Sequence, residues 1–376
     1  MPLLRLLSLL TAGVVMLPAA AQAHVKWFAP YVVGAAPQPV TNTLTNNYFW
    51  SGIALVLLFF LASVMVERSA FGDRVRVGLD RATGPLWNRA DDFTRAIIGA
   101  FFIAIFAVGG VYLTPDLKTP SEWVSWIQLL IAIGVFSKHT MKASAAGIIF
   151  LWMIALRDYE LFHLLDYLAL GLGVAAYLWL ASSEDKPEWY EKRFYVLRWG
   201  VAVALMWSSL EKFAYPEWFY PLVEEKPFLT FGLPRDMFIP MAGVAEFTMG
   251  FGLLWTPLIR RLSAIALLII FNAAVYPFGR IDLVGHALIM ATLILILIDP
   301  TRMTKSAPST PRALAYVPAM LLVAFVSIGG SYWGLHRTFF GAEGDPQAAQ
   351  EMLTHTPNAE HPHGRTIENV PDRHLH

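Results

Sequence analysis

The chain contains no cysteine. That excludes disulfides, thiol redox relays, cysteine-ligated iron–sulfur clusters and a lipid-modified cysteine anchor. Charge is scarce too: Asp, Glu, Lys and Arg make up 15% of the residues, and 28 basic side chains balance 28 acidic ones. A net charge of zero leaves no global field for nucleic acid, so no nucleic-acid partner is expected. Any redox or metal chemistry must rest on His, Asp, Glu, Tyr, Met or a bound cofactor. What fills the chain instead is apolar: 56% of its 376 residues are hydrophobic, and the mean hydropathy is +0.51. This composition predicts an all-α, polytopic membrane protein whose main partner is the lipid bilayer.

Residues 1–23 read as a secretory signal peptide, with Arg5 as the basic head, an apolar run from Leu6 to Leu17, and Ala21-Gln22-Ala23 before the cut. An uncleaved first helix is the alternative. Cleavage would leave His24 as the first residue of the mature protein. Tyr48 to Val66 has the length of a bilayer span. Further apolar stretches near 96–113, 122–137, 143–157, 161–181, 198–214, 237–255, 260–276, 282–298 and 313–333 bring the expected total to about ten spans. The link after the first span carries Arg68, Arg74, Arg76, Arg81, Arg89 and Arg95, which places it in the cytoplasm. Alternation then puts Lys138, Lys142, Arg260, Arg261 and Arg302 inside as well. Both mature ends are expected on the periplasmic side of a bacterial inner membrane. The organisation expected is a signal at 1–23, a first span and link at 24–92, four-helix blocks at 93–183 and 194–300, a last span at 313–335 and a tail at 336–376.

The two blocks resemble one another. Aligning WIQLLIAIGVF with VAEFTMGFGLL pairs Gln128 with Glu246 and Gly134 with Gly252. Aligning RDYELFHLLDY with RIDLVGHALIM pairs Arg157 with Arg280 and His163 with His286. Four spans per block give both copies the same orientation, hence a parallel repeat.

Four successive runs of the second block each carry one strongly polar residue: Glu211, Glu246, Asn272 and His286. Such groups are costly in an apolar span and are read first as functional. At about 1.5 Å per residue all four fall in the outer half of the bilayer. Asp282 stands four residues before His286 on the same helix face and is suited to orienting the imidazole. Glu211, Glu246, Asn272, Asp282 and His286 are thus the candidate catalytic set. His163, Asp166 and Gln128 are the counterpart in the first block and the candidate cofactor-binding set. The bland alternative is that these groups only hydrogen-bond between helices. Glu160-x-x-His163 has the spacing of carboxylate di-metal bundles, but only one copy is present. His163 and His286 also fit axial haem ligation by residue type. For metal, His24 offers an α-amine and an imidazole on one residue, and His361 or His363 of the histidine-bearing tail can add a third nitrogen, a set that favours copper. The aromatic stretch YPEWFYPLVEEKPFLTFGLP reads as an interfacial belt or as a lid.

Several of these residues are shared with a known family. The Glu of VAEFTMGFGLL, the glycine-rich second helix, the basic LIRRL that opens the third helix and the His near the start of the fourth resemble DoxX-like membrane proteins. The resemblance covers Arg198 to Asp299 best. It implies a four-helix membrane unit in a redox setting, because the family includes the membrane subunit of a thiosulfate:quinone oxidoreductase. Glu246 and His286 are the positions it singles out. Doubling of the unit and the flanking spans depart from the family. The readings that follow are quinone-linked electron transfer beside a redox partner subunit, periplasmic copper handling, and small-molecule transport.

Overall fold

The computed structural model describes residues 26, 28, 29, 31–300 and 310–344. Among them the fold is all-α, with two isolated β-bridges and no sheet. The long helices, in chain order, are α1 (Asn47–Glu67), α2 (Ala70–Trp87), α3 (Ala90–Val108), α4 (Trp123–Gly134), α5 (Met141–Ala155), α6 (Leu161–Ala181), α7 (Arg193–Ser209), α8 (Arg235–Gly252), α9 (Pro257–Ile298), α10 (Thr310–Ala324) and α11 (Gly330–Phe340). The chain divides into two compact units. One takes Gln38–Thr94 and Val201–Gly330; the other takes Arg95–Gly200 with the described parts of His24–Pro37 and Ser331–His376.

Among the described residues four helical stretches are long and apolar enough to cross a membrane: Asn47–Glu67, Leu161–Ala181, Pro257–Ile298 and Arg312–Phe340. That is fewer than the spans expected from hydropathy, for two physical reasons. Helices α4 and α5 have 12 and 15 residues, short of the roughly 20 a bilayer needs. Helices α3 and α8 have the length but carry charge, Asp91, Asp92 and Arg95 in the first and Arg235, Asp236 and Glu246 in the second.

Helix α9 is two helical arms joined at a kink. A straight helix of 42 residues would separate its ends by roughly 60 Å. Yet Arg260, near the start, donates to the backbone carbonyl of Asp299 at 2.9 Å. The element therefore folds back on itself, and the reversal falls at Gly279, whose φ of 70° and ψ of −149° are open essentially to glycine alone. Two antiparallel arms of about 20 residues result, one on each side of Gly279.

Within the first unit, α1 links two polar ends. At one end Asn46 caps the helix, its side-chain oxygen accepting from the amides of Tyr48 at 2.8 Å and Phe49 at 3.3 Å. At the other end the Glu67 carboxylate accepts from the Leu258 amide at 3.2 Å. Near it Arg261 donates to Asp80 of α2 at 2.6 Å, and both Arg260 and Arg261 donate to the Asp299 carbonyl. These arginines are almost wholly buried, so each needs its carboxylate. The 21 residues of α1 between the two ends span roughly 31 Å, the thickness of a bilayer core.

Close helix contacts rest on the glycines aligned in the sequence. A Cβ on Gly134 would run into the Ser144 hydroxyl of α5, and a Cβ on Gly252 would run into the Ser263 hydroxyl of α9. Each unit thus packs a glycine of one helix against a serine of the next, as small residues do where backbones approach.

Candidate functional site

Each unit encloses a polar cluster. In the first, Glu246 sits on α8 about 16 Å along from Arg235 and is partly buried. Its partner is Lys212, whose Nζ lies 2.5 Å from the Glu246 carboxylate. The side chains are 5% and 13% exposed, so both charges are out of bulk solvent. Lys212 belongs to a short helix, Glu211–Ala214, and its ammonium also faces the Phe219 ring at 4.9 Å. Glu211 is buried beside it. Phe219 and Trp218 come from the aromatic stretch after this helix and are buried, with Trp218 stacked on Tyr215 at 4.0 Å. Phe228 and Phe231 of the same stretch remain exposed.

Lys212 also lines a cavity of about 250 Å³. Gln38, Asn42, Asn46, Phe213, Tyr220 and Asp236 contribute to its wall. The cavity lies at the Asn46 end of α1, away from the arginine cluster. Its lining mixes one cation, one carboxylate, three carboxamides and two aromatic rings, a surface for a ring carrying polar groups. Burial, reinforced by the nearby Asp236, raises the Tyr220 hydroxyl above its ordinary pKa, so it stays a hydrogen-bond donor.

The other residues of the candidate catalytic set sit elsewhere in the unit. Asp282 and His286 are brought together by the helix repeat, with Oδ1 and Nδ1 3.1 Å apart and Asp282 fully buried. Phe271 packs on the imidazole with ring centres 4.7 Å apart. The ionic contact of Glu246 is with Lys212 and not with His286. Asn272 points outward, and its amide donates to the Leu268 carbonyl at 2.7 Å. Its own helix satisfies it, so it does not join the buried set.

The second unit gathers the three residues of the candidate cofactor-binding set. Gln128 is fully buried and donates to the carbonyls of Val111 at 2.6 Å and Tyr112 at 2.8 Å, pinning the loop between α3 and α4. Asp166 is held in an ion pair by Lys26. His163, one turn away on α6, is fully buried with Nε2 3.7 Å from Asp116 Oδ2. The rings of Tyr31, Tyr159 and Tyr167 surround it at 5.6, 5.4 and 5.9 Å. Tyr167 donates to Asp116, while the Tyr159 hydroxyl donates to the carbonyls of Asp116 and Lys118. Burial first, and the Asp116 carboxylate second, drive the Tyr159 phenol far above its ordinary pKa. Tyr112 is raised by burial and by its hydrogen bond to Asp158, and Lys118 is lowered by burial. Glu160 is exposed, so the Glu-x-x-His spacing does not form one site with His163. Among the described residues no group of three or more His, Asp or Glu side chains converges on a metal position. His24, His361, His363 and the signal peptide at 1–23 lie outside the described residues.

Sequence reasoning missed the partners rather than the centres. Lys212 falls at the end of the expected 198–214 span, and nothing local in the sequence points to its partner Glu246, 34 positions on. Lys26 stands in HVKWF, which reads as an interfacial anchor, and its partner is 140 positions away. The chain matches no family model, and neither curated proteins nor solved structures give a match.

Proposed function

We propose that this is a DoxX-like inner-membrane protein, its about ten spans arranged as two parallel four-helix repeats with flanking helices and both mature ends in the periplasm. The aligned glycine–serine contacts of the two units support the repeat. We further propose that the first unit binds a quinone-class ring in the cavity walled by Lys212. The observation that carries this reading is the buried Lys212–Glu246 pair, one partner of which lines that cavity.

The chemistry follows from the groups present. The cavity is smaller than the roughly 300–1,000 Å³ of pockets for drug-sized molecules, so it suits a single ring and not a long isoprenoid tail. Lys212 is placed to donate a hydrogen bond to a ring oxygen. Oxidation of a quinol releases two electrons and two protons. Lys212 would pass its proton to the Glu246 carboxylate as it takes one from the ring hydroxyl, the second proton would leave to water at the cavity mouth, and both electrons would pass to a redox partner subunit. Phe213 offers a face for stacking. His286, oriented by Asp282, is a second proton-carrying group on the same unit.

A photoreactive short-chain quinone tests the location. Label should appear on peptides containing Lys212 or Asp236 and be competed by unlabelled quinone. Label confined to other peptides would refute the site.

A further inference from the structure

Helix α2 carries charge that the buried cluster of its unit does not use. Two residues separate it from α1, and Ser69 caps it by accepting from the Gly72 amide at 3.1 Å. Three contacts fix its course. Gly72 lies against the last turn of α1, where a Cβ would collide with the Val66 carbonyl. Asp80 accepts from Arg261, near the start of α9, at 2.6 Å. The Thr83 hydroxyl reaches the carbonyl of Ile298, at the other end of α9, 3.4 Å away. These contacts are spread over roughly 16 Å of α2. The helix ends they touch are level with one another, because Glu67 accepts from Leu258 and Arg260 donates to Asp299. Helix α2 therefore runs across the ends of α1 and of both arms of α9, and not alongside them.

The outer side of α2 is a basic stripe. Arg74, Val77, Gly78, Arg81, Ala82 and Leu86 follow one another at three- and four-residue steps, and all are exposed. A Cβ on Gly78 would meet nothing within 4 Å, so nothing among the described residues covers the stripe there. Both acids of the helix are engaged, Asp73 by Arg76 and Asp80 by Arg261. The next acids in the chain, Asp91 and Asp92, lie in the first turn of α3. Arg74 and Arg81 have no ion-pair partner among the described residues and leave the stripe positive. Between and beyond them Val77 and Leu86 are 47% and 59% exposed.

We propose that this face of α2 docks on the headgroups of anionic phospholipids, with Arg74 and Arg81 each holding a phosphate and Val77 and Leu86 entering the acyl boundary. Charge complementarity selects this occupant. The planar guanidinium fork matches phosphate, and arginines interleaved with apolar side chains suit a helix lying in the interface. Helix α1 has the length of a bilayer core, so a helix laid across its end stands at headgroup level. The docking requires that the first unit span a bilayer, as proposed above. It is independent of the quinone site, which lies at the opposite end of α1.

The absence of cysteine provides the test, because Val77→Cys carries a single fluorescent label between the two arginines. The labelled full-length protein is reconstituted in phosphatidylcholine vesicles containing equal fractions of either brominated phosphatidylglycerol or brominated phosphatidylcholine. Quenching should show a preference of about fivefold or more for the anionic lipid at the label. Arg74→Gln with Arg81→Gln should bring the two lipids close to parity, whereas Arg74→Lys with Arg81→Lys, which keeps both charges, should retain most of the preference. In about 1 M salt, where the screening length is about 3 Å, the preference should also disappear. Equal quenching by the two lipids before any arginine is replaced, or an unchanged preference in the double glutamine variant, would overturn the proposal. Loss of the preference on adding inorganic phosphate at constant ionic strength would overturn it too, by showing a phosphate site in place of a lipid surface. Release of the chain from the vesicles by alkaline carbonate would overturn the membrane reading and this docking together. A carbonate-resistant chain without lipid preference would overturn the docking alone.

Discussion

Breaking the Lys212–Glu246 pair from one side should be far worse than removing it whole. Lys212→Met leaves a carboxylate, 13% exposed, without its cation. Glu246→Gln leaves an ammonium, 5% exposed, beside Phe219. An uncompensated buried charge costs about 3–5 kcal/mol, whereas replacing both partners by apolar groups of similar volume is often neutral or stabilising. For a unit of this size each kcal/mol moves the melting temperature by about 2–4 °C, so each single variant should melt about 6–20 °C lower. The double variant Lys212→Met with Glu246→Leu should recover most of that loss. Thermal melting in one detergent, followed by intrinsic fluorescence, reads all four proteins side by side. Single and double variants that destabilise equally would refute the reasoning, because the two charges would then be independently solvated and not a buried pair.

Two further outcomes follow from the packing and from the tyrosines. Gly134→Val and Gly252→Val each push a side chain into a serine of the next helix, and each should cost about 1–3 kcal/mol of stability; unchanged melting of either variant would show that the helices do not touch there. Tyr159 has a raised pKa in the folded protein, so its contribution is fully present below the unfolded value of about 10 and is lost as pH climbs through the folded value. Stability should fall above about pH 10 by as much as about 1.4 kcal/mol per pH unit for each such tyrosine, and Tyr159→Phe should flatten that decline. An unaltered alkaline profile in the Tyr159→Phe protein would contradict the assignment.

How legible the molecule was in its sequence depends on the range of the interaction. Apolar composition and hydropathy made the all-helical class plain, and the four-residue spacing of Asp282 and His286 brought them within 3.1 Å of one another. Hydropathy located apolar segments but not helix lengths. It cannot tell a 12-residue helix such as Trp123–Gly134 from a full span, because both are continuously apolar. The reversal at Gly279 depends on one residue's backbone conformation, and hydropathy sees only a dip between two runs. Partners distant in sequence stayed hidden for a different reason. Lys26 meets Asp166 and Arg261 meets Asp80 only after tertiary packing, and no local pattern encodes a pairing across more than a hundred residues. Asn272 shows the converse failure. Its residue type in an apolar run suggested a site, yet a helix can satisfy such a side chain from its own carbonyl, as Leu268 does here.

The central claim is that the first unit binds a quinone-class ring at the cavity beside Lys212 and Glu246. Isothermal titration of the purified protein with a short-chain water-soluble quinone tests it most directly, in parallel with Glu246→Gln and with Asn272→Ala as an outward-facing control. The account predicts one saturable site in the wild type, affinity lost by tenfold or more, equivalent to about 1.4 kcal/mol, in Glu246→Gln, and no change in Asn272→Ala. No saturable binding to the wild type, or equal affinity in the wild type and Glu246→Gln, would contradict it.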